Sequence, residues 1–259
     1  PLVVHPQVAI HQPGGQLAIV DTGEAHQQAA VGRAHVLHDD GHVLGVAPAP
    51  SVRWVAFESR NAVTNAGRAA WTEATGLISV WILGMFAPAH DAKVIVPFNA
   101  AAQGPLVNDA YFGKVPPERL SARGAALVFT CDGEYRSKIG LGPARARSVA
   151  GSYSPGARLL TIVHYDKPEG EKRYVNSMWE EQREPFAGDV LNSYNDGPPA
   201  PGKPALGGFY ELETSSPAAA LRPGETLTHT HRTFHFVGEA ADLEPIAKAV
   251  LGVSLAEVR

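Results

Sequence analysis

Seven short runs rich in β-branched and aromatic residues constrain this chain more than anything else in it. They are VRWVAFESRNAV from Val52, GLISVWILGMF from Gly76, KVIVPF from Lys93, AALVFT from Ala125, LLTIVHY from Leu159, GFYELET from Gly208 and TLTHTHRTFHFV from Thr226. Clusters of Gly, Pro, Asn and Asp separate them, which is the pattern of short strands joined by turns. Only one stretch has helical spacing: Leu243, Ile246, Ala247, Val250 and Leu251 fall at i, i+3, i+4, i+7 and i+8, and Gly252 follows as a C-terminal cap. The expected fold is all-β, a large antiparallel sandwich with one C-terminal helix laid on it as a clasp.

A chain of 259 residues is long for an average domain, but large sandwiches reach this size as one unit, so residues 1–259 are read as a single domain. Residues 1–50 are its poorly defined first part, rich in Gly, Ala and Pro. They hold six of the eleven histidines, His5, His11, His26, His35, His38 and His42, at scattered spacings that make poor metal-ligand sets. With 44% apolar and 19% charged residues and a net charge of −4, nothing favours nucleic acid or an anionic membrane surface as partner. The longest apolar run, from Gly76 to Phe86, is about half the ~20 residues that a membrane helix needs, and reads as a buried strand. Cys131 is the lone cysteine and ends an apolar run, LVFTC, so no intrachain disulfide forms and the thiol is expected to be inert. No signal-peptide pattern precedes Pro1, so any leader has been removed or the chain is a fragment.

The strongest chemical signal lies between Gly207 and Gly238. Side chains alternate across a strand, so Glu211 and Glu213 share one face, and His229, His231 and His235 share another. If the two strands pair, carboxylates and imidazoles converge on one patch. Two chemistries are then open. In one, Glu211 or Glu213 and His229 or His231 form an acid/base pair that moves protons on a sugar or uronic acid. In the other, His229, His231 and Glu213 hold a divalent metal such as zinc. The second has a weakness: the Gly224-x4-His229-x-His231 spacing approaches a cupin metal motif, yet no Glu follows His231 within four residues. Structural pairing of the histidines with neighbouring acids is a third reading.

Two further segments combine aromatic and polar residues. DGEYRSKIGLG, from Asp132, carries Arg136 and Lys138, cations that could meet a carboxylate, although a solvated hairpin would look the same. YVNSMWEEQ and VLNSYNDG supply Trp179, Glu180, Asn192, Asn195 and Asp196, an aromatic platform with paired hydrogen-bonding groups of the kind that sugars need. Arg136, Trp179, Glu180, Asn192, Asn195, Asp196 and His235 are therefore the expected substrate contacts. The Pro-rich stretch GPPAPGKP, from Gly197, reads as an ordered loop near the site. A noncatalytic glycan-binding protein, in which the same residues only bind, is the rival reading. No phosphate loop or nucleophile elbow is present.

The stretches VAFESRNAVTNAG, WTEATGLISVWILGMF, VNDAYFGKVP, GEYRSKIGLGP, YVNSMWEEQ, NSYNDGPPAPGKP and FYELETSSPAAALRPGETLTHTHRTFH resemble the bacterial family DUF6786 over about four fifths of the chain. That resemblance implies a galactose mutarotase-like β-supersandwich with a carbohydrate in its concave sheet, and a periplasmic or secreted location. The aldose epimerase signature around Asn-His-x-Tyr-Phe has no counterpart here, and Glu211 or Glu213 would stand for the late catalytic Glu.

Overall fold

The computed structural model describes the backbone of residues 3–11, 17–21, 28–37, 43–178, 180 and 183–258, and the side chains among these from residue 36 onward. Strands are numbered in chain order. One sheet has six, in the order β2 (Leu17–Asp21), β1 (Val3–His11), β5 (Ile78–Phe86), β13 (Tyr210–Ser215), β12 (Leu191–Asn195) and β9 (Ser137–Leu141). The other has eight, in the order β3 (Gln28–Leu37), β4 (Arg53–Asn65), β14 (Thr226–Val237), β11 (Leu159–Tyr165), β10 (Val149–Ser154), β6 (Lys93–Pro97), β8 (Ala126–Thr130) and β7 (Leu120–Arg123). Neighbouring strands are antiparallel in both.

All seven expected runs are strands. The structure adds β7, β9, β10 and β12, together with three strands in the first forty residues. SKIGL, VAGSYS and LNSYN hold Ser, Asn and Gly, which locally favour turns, so their sequence hides them. Both edges of β10 and β12 are nevertheless hydrogen-bonded to neighbours, and pairing with burial overrides a weak local preference.

The sheets pack face to face. Ile139, Leu141, Leu191, Leu212 and Phe86 of the six-stranded sheet meet Val94, Val96, Leu127, Phe129 and Val163 of the other in one buried cluster. Phe234, Phe236, Leu160 and Ile162 point out of the opposite side of the eight-stranded sheet. There they are covered by Leu243, Ile246, Ala247 and Leu251, the expected apolar stripe. The covering helix, α1 (Ala240–Ile246), runs on through a wider π turn, Ala247–Leu251, and ends at Gly252. Gly252 has φ 70° and donates its N–H to the Lys248 carbonyl, a left-handed cap that glycine adopts without strain.

One expectation fails. β13 and β14 do not pair: β13 lies between β5 and β12 in the six-stranded sheet, whereas β14 lies between β4 and β11 in the eight-stranded sheet. The two strands face each other across the core.

Candidate functional site

Register determines which side chains share the outer face of the six-stranded sheet. Lys138, Tyr194, Glu211 and Met85 form one cross-strand row, and Gly140, Asn192, Glu213 and Leu83 form the next. Trp81 stands one position further along β5 on the same face. In an ordinary sandwich this face meets water, but here Glu213 is 0% and Glu211 7% exposed, with Asn192, Lys138, Trp81 and Tyr194 also buried. Buried charge must be paired or neutralised, and both remedies are used.

Glu213 Oε2 accepts a hydrogen bond from Lys138 Nζ at 2.7 Å and another from Trp81 Nε1 at 2.9 Å. The ammonium also lies 4.8 Å from the centre of the Trp81 ring and 5.0 Å from that of Tyr111, so two electron-rich faces hold it against the carboxylate. Glu213 Oε1 is buried. Its neighbour Glu211 shares a carboxyl–carboxyl hydrogen bond with it. Burial, then the negative charge of Glu213, push the Glu211 carboxyl up to about 9, against the opposing pull of Lys138.

A third carboxyl adjoins the pair. Asp189, just before β12, accepts from Tyr111 Oη at 2.6 Å and from Asn108 Nδ2 at 3.0 Å, both on Oδ2, and Tyr111 Oη accepts from Asn192 Nδ2 at 2.9 Å. Burial raises the Asp189 carboxyl above its ordinary range, while those donors and Lys138 pull the other way. Gly140 makes room for this arrangement, because a Cβ there would collide with the Asp189 carboxylate and the Asn192 amide. A cleft of ≈ 610 Å³ opens beside Asp189 and Asn108. Phe112, edge-on to Tyr194 of this face, and Tyr135, on the Asp132 turn, each leave 42% of their surface exposed. Phe112 is backed by Arg136, 4.1 Å from the ring centre, and Tyr135 by Arg119 at 5.1 Å.

The histidines are elsewhere. His229 and His231 are 1% and 0% exposed between the sheets. Both bond the Thr214 hydroxyl at 2.9 Å, His229 through Nε2 and His231 through Nδ1, and Thr233 lies 3.3 Å from His231 Nε2. One hydroxyl can donate to one imidazole and accept from the other, so the trio is self-satisfied. Burial lowers His229 to about 4 and His231 to about 3. His235 shares their face, bonded to Thr161 at 2.9 Å and edge-on to Phe86. Glu211 and Glu213 point to the other side of β13 from Thr214, so the expected meeting of carboxylates and imidazoles does not occur. The set of His229, His231 and Glu213 is separated in the same way, and no metal-ligand cluster is formed among the described residues.

Of the expected substrate contacts, Asn192 lies within the carboxylate cluster and Arg136 beside it. Asn195 instead clamps a turn, receiving Gly133 N–H and donating to Asp132 and the Tyr135 carbonyl. Asp196 accepts the N–H groups of Leu206, Gly207 and Gly208, which pins the Pro-rich loop. Glu180 is exposed, and Trp179 lies outside the described residues, as do His26, His38 and His42 and the side chains of His5, His11 and His35. Burial pushes the Cys131 thiol up, in keeping with an inert role. The sequence reading missed Trp81, Tyr111, Asn108 and Asp189. Trp81 sits in a run whose apolarity suggested only a core strand, and the others lie in loops with no motif. Lys138 was marked as a cation awaiting a carboxylate, and Glu213 is that carboxylate.

No curated protein matches this chain. Among solved structures it is similar to a protein provisionally named an aldose 1-epimerase, from Escherichia coli K12, at 11% identity and a TM-score of 0.44, covering 82% of this chain and 66% of that one. It is also similar to a protein of Synechocystis sp. PCC 6803 at 11% identity and a TM-score of 0.43, covering 83% of this chain and 64% of that one. The chain thus spans less than two thirds of the length of either. The family model for DUF6786, a family of unknown function, matches residues 35–259, and the chain belongs to that family.

Proposed function

We propose that this protein processes carbohydrate by proton transfer on a sugar or uronic acid, with Glu211 as general acid and Glu213 as general base. One observation carries the reading: two successive outward positions of a single strand hold buried carboxyls in different settings, Glu213 paired with a cation and Glu211 pushed up by burial. Lys138 and Trp81 stabilise the charge on Glu213, and Glu211 is kept neutral by burial and by that charge. Paired titratable groups whose environments push them apart are how a protein obtains an acid and a base at one pH. Exposed Phe112 supplies a flat apolar face against which a sugar ring can stack, and Asn192 and Asp189 supply hydrogen-bonding edges.

The test is a panel of aldoses and uronates followed by optical rotation and proton NMR, with Glu211→Gln and Glu213→Gln measured beside the unaltered protein. Loss of about a hundredfold or more in turnover with sugar binding retained is expected. Unchanged turnover in both variants would remove the acid/base assignment. Binding without turnover on any sugar would make the protein a noncatalytic glycan binder.

A further inference from the structure

The cleft beside Asp189 differs in chemistry between floor and rim. At the floor, Asp189 is only 9% exposed, and both of its hydrogen bonds fall on Oδ2. Oδ1 lies toward Gly142 of the cleft wall, 3.8 Å from where a Cβ on that glycine would stand. No described residue donates to it.

The rim is cationic. Lys167, Lys172 and Arg145 line the cleft, against Glu171 and Asp189. Arg145 is fixed in the wall by bonds to the carbonyls of Asn99, Ala100, Gly104 and Pro105, so its charge adds to the local field without being free to reach a ligand. Glu171 turns one oxygen, Oε1, toward the backbone N–H groups of Lys172 and Arg173 and the Arg173 side chain. The ammonium groups of Lys167 and Lys172 have no ion-pair partner among the described residues.

We infer that this cleft binds a sugar acid, its carboxylate held between Lys167 and Lys172 and a ring hydroxyl donating to Asp189 Oδ1. The inference rests on the carbohydrate reading above and narrows it to uronates. A volume of ≈ 610 Å³ suits a small sugar, since ligand clefts run from about 300 to 1,000 Å³. The hydrogen-bonded chain from Asp189 through Tyr111 to Asn192 joins this cleft to the row that holds Glu213.

Calorimetric titration with sodium D-galacturonate and with D-galactose, on the full chain and on the Lys167→Ala/Lys172→Ala variant, tests it. Lys172 is exposed and Lys167 half-buried, and neither forms an ion pair among the described residues, so the variant should still fold. Galacturonate should bind more tightly than galactose, and the double variant should lose about tenfold in galacturonate affinity, the scale of one charge-assisted contact, with galactose unaffected. Amide shifts on adding galacturonate should centre on Asn108, Gly142 and Lys172. Equal affinity for the two sugars, an unaltered galacturonate affinity in the variant, or no galacturonate binding at all would each overturn the inference. If it fails while Glu213→Gln still abolishes turnover, the carbohydrate reading survives; if neither sugar binds and no sugar is turned over, both fall.

Discussion

Glu213 and Thr214 are consecutive in β13 yet bury their side chains in separate chemical settings. Glu213 lies on the outer face against Lys138 and Trp81, and Thr214 lies between the sheets against His229 and His231. The backbone of one strand is all that divides an ion pair from a neutral imidazole cluster. Perturbing one side should therefore leave the other chemically intact.

The Lys138 to Glu213 pair is dry, with side chains 7% and 0% exposed. Removing one partner strands a buried charge, which costs about 3–5 kcal/mol, while removing both costs much less. Lys138→Met should lower unfolding stability by about 3 kcal/mol, and Lys138→Met/Glu213→Gln should recover most of that loss. Urea denaturation of the two singles and the double measures the coupling. Additive losses would show that the pair does not act as a unit.

Glu211 should make the protein less stable as pH rises. Its carboxyl moves from an ordinary 4.5 to about 9 on folding, so the folded state holds a proton that the unfolded chain releases. The contribution is complete below about pH 4.5 and is lost as pH climbs toward 9, at a slope of up to about 1.4 kcal/mol per pH unit for one group. Glu211→Gln removes the titration. Stability profiles of the two proteins between pH 5 and 9 should diverge in that direction, and parallel profiles would show that Glu211 titrates normally.

The histidine cluster gives the opposite sign at the acid end. His229 and His231 fall from 6.5 to about 4 and about 3, so the unfolded chain takes up protons that the folded one refuses. Their contribution is present above pH 6.5 and is lost as pH falls through 4. Thr214→Val leaves both imidazoles short of a partner and should cost about 1–3 kcal/mol, with sugar affinity unchanged because Thr214 faces away from Glu213. A large change in sugar affinity in this variant would contradict the separation of the two faces.

Gly140→Ala places a methyl group where Asp189 and Asn192 now sit. Displacing them should cost about 1–3 kcal/mol in stability, as overpacking does, and should weaken galacturonate binding more than Lys138→Met does. Gly142→Ala is the control for stability alone, since Gly142 also lines the cleft: its Cβ would meet Asp189 only at 3.8 Å, an ordinary contact distance. Equal stability losses from the two glycines would mean that Asp189 is not held by this close approach.

Local alternation was enough to show that Glu211 and Glu213 share a face, that His229, His231 and His235 share another, and that the chain is a β-sandwich with one terminal helix. Those properties follow from a side-chain period of two on strands and 3.6 on helices, which neighbouring residues impose on each other. Which strand sits beside which is decided by contacts between residues far apart in the chain. Glu213 lies against Leu83 and Asn192, and His229 lies against Asn61, so two segments only a loop apart were committed to different sheets. Strands such as LNSYN escaped detection because their residues favour turns until two neighbours and a core bury them. Only the tertiary structure set Lys138 and Trp81 around Glu213 and brought Asp189 to a cleft, because the free energy of pairing a buried charge depends on what surrounds it and not on its place in the sequence.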